Sequence, residues 1–124
     1  MKFLLDTNIL LWALAEPSKI SDDIKNILIN PNYLIYASTV NVWEVIIKSS
    51  IGKLKIPNNI EEQIIEHRFV PLPITFKHAI CVGTLPNIHN DPFDRLLIAQ
   101  AIEEKLTIIT SDTIIPKYPN VKVA

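Results

Sequence analysis

The stretch Asp91-Pro92-Phe93-Asp94-Arg95-Leu96-Leu97-Ile98-Ala99-Gln100-Ala101-Ile102-Glu103-Glu104-Lys105-Leu106-Thr107-Ile108-Ile109-Thr110-Ser111-Asp112 sets two kinds of element back to back. Asp91, Pro92 and Asp94 have the form of a helix start: a carboxylate cap, a proline at the first helical position, and an acid at N3. Pro92 to Lys105 therefore reads as a helix. Leu106 to Thr110 follows as a buried strand, and Asp112 comes just after it. A helix that feeds directly into a buried strand is the repeating unit of a sheet covered by helices.

The same alternation runs through the rest of the chain. Lys2 to Leu5 reads as a short buried strand and Asn8 to Ala15 as a helix stopped before Pro17. Ser21-Asp22-Asp23 caps a helix through Ile29, ended by Asn30-Pro31. Tyr33 to Ala37 is a strand of aromatic and aliphatic residues, followed by a helix from Thr39 to Ile51. Gly52 closes that helix where a left-handed residue is wanted. Further helices are expected over Asn59 to His67 and Thr75 to Val82. Phe69 to Leu72 is a short strand, placed near an edge by Pro71, and Val121 to Val123 is a last edge strand. The expected fold is α/β: a three-layer α/β/α sandwich with a mostly parallel central sheet, one domain over residues 1–124. Ligands of such sheets bind at the carboxyl ends of the strands, near the point where strand order reverses.

Composition removes several function classes. At 124 residues, with 48% hydrophobic and 20% charged residues, the chain is long and apolar enough for one folded core. Gly52 and Gly83 stand too far apart to form a glycine-rich phosphate loop. A single cysteine, Cys81, excludes an intramolecular disulfide framework and a cysteine-cluster zinc site, and fits a reducing cytoplasm. The net charge of -1 does not suit a protein that coats nucleic acid through bulk positive charge. Asp6 and Asn8 interrupt the first apolar run, so no secretion signal and no membrane span are expected. The mean hydropathy of +0.24 is high for so short a chain and suggests apolar surface that another subunit or partner covers.

The acidic residues fall in a pattern. Asp6 follows the first strand, Asp112 follows the strand Leu106 to Thr110, and Asp94 sits in the first turn of the helix before it. Glu44 lies on the helix after the strand Tyr33 to Ala37. If the first strand and the Leu106 strand are central neighbours, all four converge on one rim. Carboxylates at that density repel one another and raise one another's pKa, and a hard divalent cation such as Mg²⁺ or Mn²⁺ relieves this. Each acid also has a plainer reading: Asp91 and Asp6 as helix caps, Asp112 as a turn residue, and Glu44 as an i,i+4 partner of Lys48 on a solvated face. Capping and metal binding are compatible.

At these residues the chain resembles a PIN domain, and specifically a VapC-type toxin of bacterial type II toxin–antitoxin systems. The likeness covers essentially the full length. It is carried by Leu4-Leu5-Asp6-Thr7-Asn8-Ile9-Leu10, by Ser38-Thr39-Val40-Asn41-Val42-Trp43-Glu44-Val45 with Lys48 and Gly52-Lys53-Leu54, by His89 to Ala101, and by Thr107-Ile108-Ile109-Thr110-Ser111-Asp112. The resemblance implies that Asp6, Glu44, Asp94 and Asp112 hold one or two Mg²⁺ or Mn²⁺ ions and cleave RNA, with Asp91 an extra ligand or only a cap. It implies a small cognate antitoxin whose C-terminal segment wraps an apolar groove and obstructs the acidic cleft, and a homodimer.

Around the acids, Thr7, Asn8 and Ser111 are candidates for hydrogen bonds that fix the carboxylates. Lys48, Lys53 and Arg95 are candidates for RNA contact, with a solvated basic face the plainer account of the lysines. His89 is a candidate for substrate contact, with an ordinary loop histidine the plainer reading, and His78 and Cys81 are read as structural. A structure-specific DNA nuclease is the alternative enzyme, separable by comparing RNA and DNA cleavage. A non-catalytic interaction module would have lost one or more of the acids, and all four are present. A phospho-acceptor domain also needs a late lysine beside its aspartate, which no lysine here provides.

Overall fold

The computed structural model describes residues 1–52, 55 and 57–124. Five strands form one sheet: β1 (Lys2–Leu5), β2 (Leu34–Ser38), β3 (Val70–Leu72), β4 (Thr107–Ile109) and β5 (Lys122–Val123). Their order is β3-β2-β1-β4-β5 and every pairing is parallel. The helices are α1 (Thr7–Ala15), α2 (Asp22–Leu28), α3 (Thr39–Ser50), α4 (Ile60–Glu66), α5 (Phe76–Val82) and α6 (Pro92–Glu104), with short 3-10 turns at Pro17–Lys19 and Ile115–Lys117.

Side-chain alternation along the central strand builds the layers. Phe3 and Leu5 point to one face and pack with Ile9 and Leu10 of α1, Ile35 and Ala37 of β2, and Ile60 and Ile64 of α4. Leu4 points to the other and packs with Leu97, Ile98 and Ala101 of α6, with Ile108 of β4, and with Ile115 and Tyr118. A strand covered on both faces must be apolar throughout, which is why β1 and β4 read as unbroken runs. The fold is the α/β sandwich with a parallel central sheet that the alternation indicates.

Several boundaries differ by a residue for identifiable reasons. α1 begins at Thr7, not Asn8, because Asp6 is its cap: Asp6 Oδ1 accepts the Ile9 N–H at 2.8 Å. β3 begins at Val70, and Phe69 instead fills the core under α4. β4 stops at Ile109, since the Thr110 hydroxyl turns to Asp6. Gly52 has φ +77°, as its place after α3 requires. β3 lies at the sheet edge, where Pro71 lacks no partner. No described helix is long and apolar enough to cross a membrane.

β1 is central, with β2 on one side and β4 on the other, paired Phe3 to Ile35 and Leu4 to Ile108. The strand order reverses there, so the crevice beyond the carboxyl ends of β1 and β4 is the switch point of the sheet. Asp6 N–H donates to the Ile109 carbonyl at 3.0 Å and carries the β1–β4 ladder to that rim.

Candidate metal and catalytic site

Asp6 stands at the switch point and is almost wholly buried, with 5% of its surface exposed. One carboxylate oxygen caps α1, and the other accepts the Thr110 hydroxyl. Burial pushes the Asp6 carboxyl above its ordinary range, and the Asp112 charge adds to this. The hydrogen bonds from Thr110 and from the Ile9 and Ser111 amides pull the other way.

Glu44 comes from α3 and is as buried as Asp6. Its helix is fixed at the rim by a reciprocal cap: Ser38 Oγ accepts the Val40 N–H, and Asn41 Oδ1 accepts the Ser38 N–H at 2.8 Å. The Thr7 hydroxyl donates to Glu44 Oε1 at 2.5 Å, and Asn41 Nδ2 donates to Thr7 Oγ1 at 3.1 Å. Glu44 Oε2 carries the Lys48 ammonium. The i,i+4 pair is thus real, but the face is not solvated; it looks into the site. Burial pulls the Lys48 pKa down, yet its bond to Glu44 and the charges of Glu44, Asp91 and Asp94 outweigh this and raise it.

Asp94 and Asp112 complete the group. Asp112 Oδ1 accepts the Ile114 N–H at 2.7 Å, leaving Oδ2 toward the crevice. His89 Nε2 lies 2.9 Å from Asp94 Oδ2 and 3.3 Å from Asp112 Oδ2. Ligating atoms of His89, Asp94 and Asp112 all fall within 4.8 Å of one another. The Asp94 pKa is pushed up to about 7, first by burial, then by repulsion from Asp91, Glu44 and Asp112, with His89 opposing. A carboxylate so displaced by its like-charged neighbours marks a place where positive charge is wanted. The donors are predominantly oxygen and anionic, so the residues fit a hard divalent cation.

The other sequence candidates divide. Asp91 caps α6, its Oδ1 accepting the Phe93 and Asp94 N–H groups at 2.8 and 3.2 Å. Thr7 fixes Glu44 as expected. Asn8 is exposed, with no side-chain hydrogen bond among the described residues, and the Ser111 contribution comes from its backbone amide instead of its hydroxyl. Arg95 does not face the crevice as a free cation for RNA. Its guanidinium donates to the Pro86 and Val82 carbonyls at 2.9 and 3.2 Å and to the Tyr118 hydroxyl at 3.2 Å, so it holds the loop before α6. Lys48 is engaged with Glu44, and Lys53 lies outside the described residues.

Two residues escaped the sequence reading, Thr110 on Asp6 and Asn41 behind Thr7, and His89, weighed there for substrate contact, stands instead between Asp94 and Asp112. Thr110 stands two residues before Asp112, and His89 two before the cap Asp91, which was the available signal. A buried chain beneath the site was also unforeseen: Ser38 Oγ donates to Gln100 Oε1 at 2.5 Å, and Gln100 Nε2 meets His78 Nδ1 at 3.3 Å.

A family model described as PIN domain matches residues 3–121. The chain belongs to the PIN domain family. Among solved structures, this PIN domain resembles VapBC2 from Rickettsia felis bound to a DNA fragment from its promoter, with a TM-score of 0.75 and 20% identity over 100% of this chain and 98% of that one. It also resembles DNA-bound VapBC from Salmonella typhimurium, with a TM-score of 0.70 and 18% identity over 100% and 97% of the two chains. For FitAcB from Neisseria gonorrhoeae the TM-score is 0.63, with 20% identity over 98% and 95%. At these identities the likeness establishes the fold. Comparison with curated protein sequences gives no significant match.

Proposed function

We propose that this PIN domain, spanning residues 1–124, is a divalent-metal-dependent endoribonuclease and the VapC-type toxin of a type II toxin–antitoxin pair. The observation that carries the reading is the convergence of acids at the switch point, with Asp94 displaced to about 7 by its buried, like-charged setting. Asp6, Asp94 and Asp112 would hold one or two Mg²⁺ or Mn²⁺ ions, with Glu44 beside them. A bound cation supplies Lewis acidity: it lowers the pKa of a water and neutralises charge that builds on the phosphate.

The chain's own residues do the rest. Asp6 is held by α1 and Thr110, and Asp112 by the Ile114 amide, so both carboxylates are fixed at the rim of the crevice before substrate arrives. Glu44, anchored by Thr7, orients the attacking water or accepts its proton. The anionic cleft excludes phosphate unless a cation is present, which explains how a chain of net charge -1 handles nucleic acid.

The toxin reading includes a cognate antitoxin, a homodimer and a cytoplasmic setting. Its support is the VapBC-like fold together with uncovered apolar surface. Phe76 and Ile80, one turn apart on α5, are 90% and 72% exposed, and Trp43 and Ile47 of α3 are half exposed.

The decisive experiment incubates the purified chain with RNA and with DNA of matched sequence in Mn²⁺, in Mg²⁺ and in EDTA. RNA cleavage is expected with either metal and none in EDTA. Asp6→Asn and Asp94→Asn are each expected to reduce cleavage by at least a hundredfold while melting as cooperatively as the parent. Cleavage of DNA alone would move the assignment to a DNA nuclease, and full activity in both variants would end it.

A further inference from the structure

His89 completes a three-residue group with Asp94 and Asp112 that has the outward form of a metal site with one nitrogen ligand. Its hydrogen bonds argue against that role. The Asp91 N–H points at His89 Nδ1, 3.2 Å away. A backbone amide can only donate, so Nδ1 must be bare, and the ring proton sits on Nε2. Nε2 is the atom that faces Asp94 Oδ2 and Asp112 Oδ2, at 2.9 and 3.3 Å. His89 therefore donates to Asp112 Oδ2, and the same Nε2 edge lies against Asp94 Oδ2. To ligate a cation through Nε2, the ring would have to move its proton to Nδ1, bringing two donors face to face at Asp91.

The loop leaves little freedom for that change. The His89 backbone N–H donates to the Tyr118 hydroxyl at 2.8 Å, and Arg95 braces the same hydroxyl and the Pro86 carbonyl. The backbone at His89 is thus held, while the ring itself is met by the Asp91 N–H at Nδ1 and by the two acids at Nε2.

We infer that His89 is a positioning residue, a hydrogen-bond clasp that draws Asp94 and Asp112 together when no cation is bound and is displaced when one enters. This deepens the metal-dependent reading above and rests on it. The cation competes with the clasp, so the ligands that remain are all oxygen. Lys48 on Glu44 is an internal cation at the same crevice, and the clasp differs from it in being a neutral ring placed between two acids.

The test uses the full chain and Mn²⁺ itself. Mn²⁺ affinity is measured by calorimetry for the parent and for His89→Ala, and pulsed electron paramagnetic resonance is recorded on the Mn²⁺-loaded parent. A displaced clasp predicts binding roughly tenfold tighter in His89→Ala, the lower end of what a hydrogen bond to a charged group is worth. It also predicts no directly coordinated nitrogen in the resonance spectrum. Weaker or unchanged binding in His89→Ala overturns the clasp, as does a nitrogen coupling in the parent, which needs no variant to fold. If neither protein binds Mn²⁺, the metal-dependent reading itself falls and the clasp falls with it; binding in the wrong direction removes the clasp alone.

Discussion

Thr110 lies one residue beyond β4 and donates its hydroxyl to the Asp6 carboxylate across 104 positions of sequence. That bond is one of three that hold the Asp6 pKa down against burial. Thr110→Val keeps the shape and removes the donor. The Asp6 carboxyl then rises further, and its oxygen loses the group that aims it. Removing such a partner of a metal ligand typically costs about 10–100-fold in affinity or activity. We expect that loss in Mn²⁺ affinity, read by calorimetry, with a change in melting temperature no larger than one hydrogen bond accounts for. Equal affinity in Thr110→Val and the parent would show that Asp6 is positioned by its cap alone. At this scale the acids were legible in the sequence because each sits at an element boundary. Their partners were not, because a hydroxyl's target depends on which strands become neighbours. Thr7 was identified and Thr110 was not, although both follow a strand at the same rim.

Among the elements, α6 carries the most information, and its start serves two purposes. Asp91 closes the first turn by accepting two backbone N–H groups, and its charge stands near enough to Asp94 to raise the Asp94 pKa. Capping and ligation are separable by substitution. Asp91→Ser retains a capping oxygen and removes the charge, whereas Asp91→Ala removes both. If Asp91 is a cap only, Asp91→Ser is expected to keep stability and RNA cleavage within a few-fold of the parent, and Asp91→Ala to lose about 1 kcal/mol of stability. A loss of cleavage in Asp91→Ser as deep as in Asp94→Asn would make Asp91 a ligand. Element order and type could be read in advance because several starts carry their own chemistry: Ser21 accepts the Ile24 N–H, Ser38 forms a reciprocal cap, and Pro92 follows Asp91. The Ser38–Gln100–His78 chain was not readable, since it joins β2, α5 and α6 through residues that local periodicity assigns merely to buried faces. Arg95 illustrates the same limit. Its charge suggested a phosphate contact, and only the path of the loop from Val82 to Pro86 shows that its guanidinium is already satisfied.

For the whole molecule, the site sets how stability depends on pH. The Asp94 carboxyl titrates near 7 in the fold, against an ordinary value of 3.8. Between those values the folded chain keeps a proton that the unfolded chain has released. Folded protein then binds more protons than unfolded, so stability falls as pH rises through the window. Below about 4 both states are protonated and the effect vanishes; above about 7 both are ionised and the cost is fully felt. Asp6, also raised, contributes with the same sign. In EDTA the melting temperature is therefore expected to drop between pH 5 and pH 8. The cost is on the order of 2 kcal/mol, or roughly 5–10 °C for a domain of this size. Asp94→Asn removes the charge and should flatten that slope, leaving a metal-free protein that is more stable at pH 8 than the parent although inactive. Mn²⁺ should reverse the trend in the parent, because the ionised carboxylates bind it more tightly as pH rises, and ligand bound only to the fold adds stability. A series of melts at both pH values, with EDTA and with Mn²⁺, reads all of these directions. A parent protein that grows more stable in EDTA from pH 5 to pH 8, with Asp94→Asn tracking it, would show that the acids do not share one crowded crevice. The function would then lose its physical basis along with the stability argument, since both follow from the same uncompensated charge at the carboxyl ends of β1 and β4.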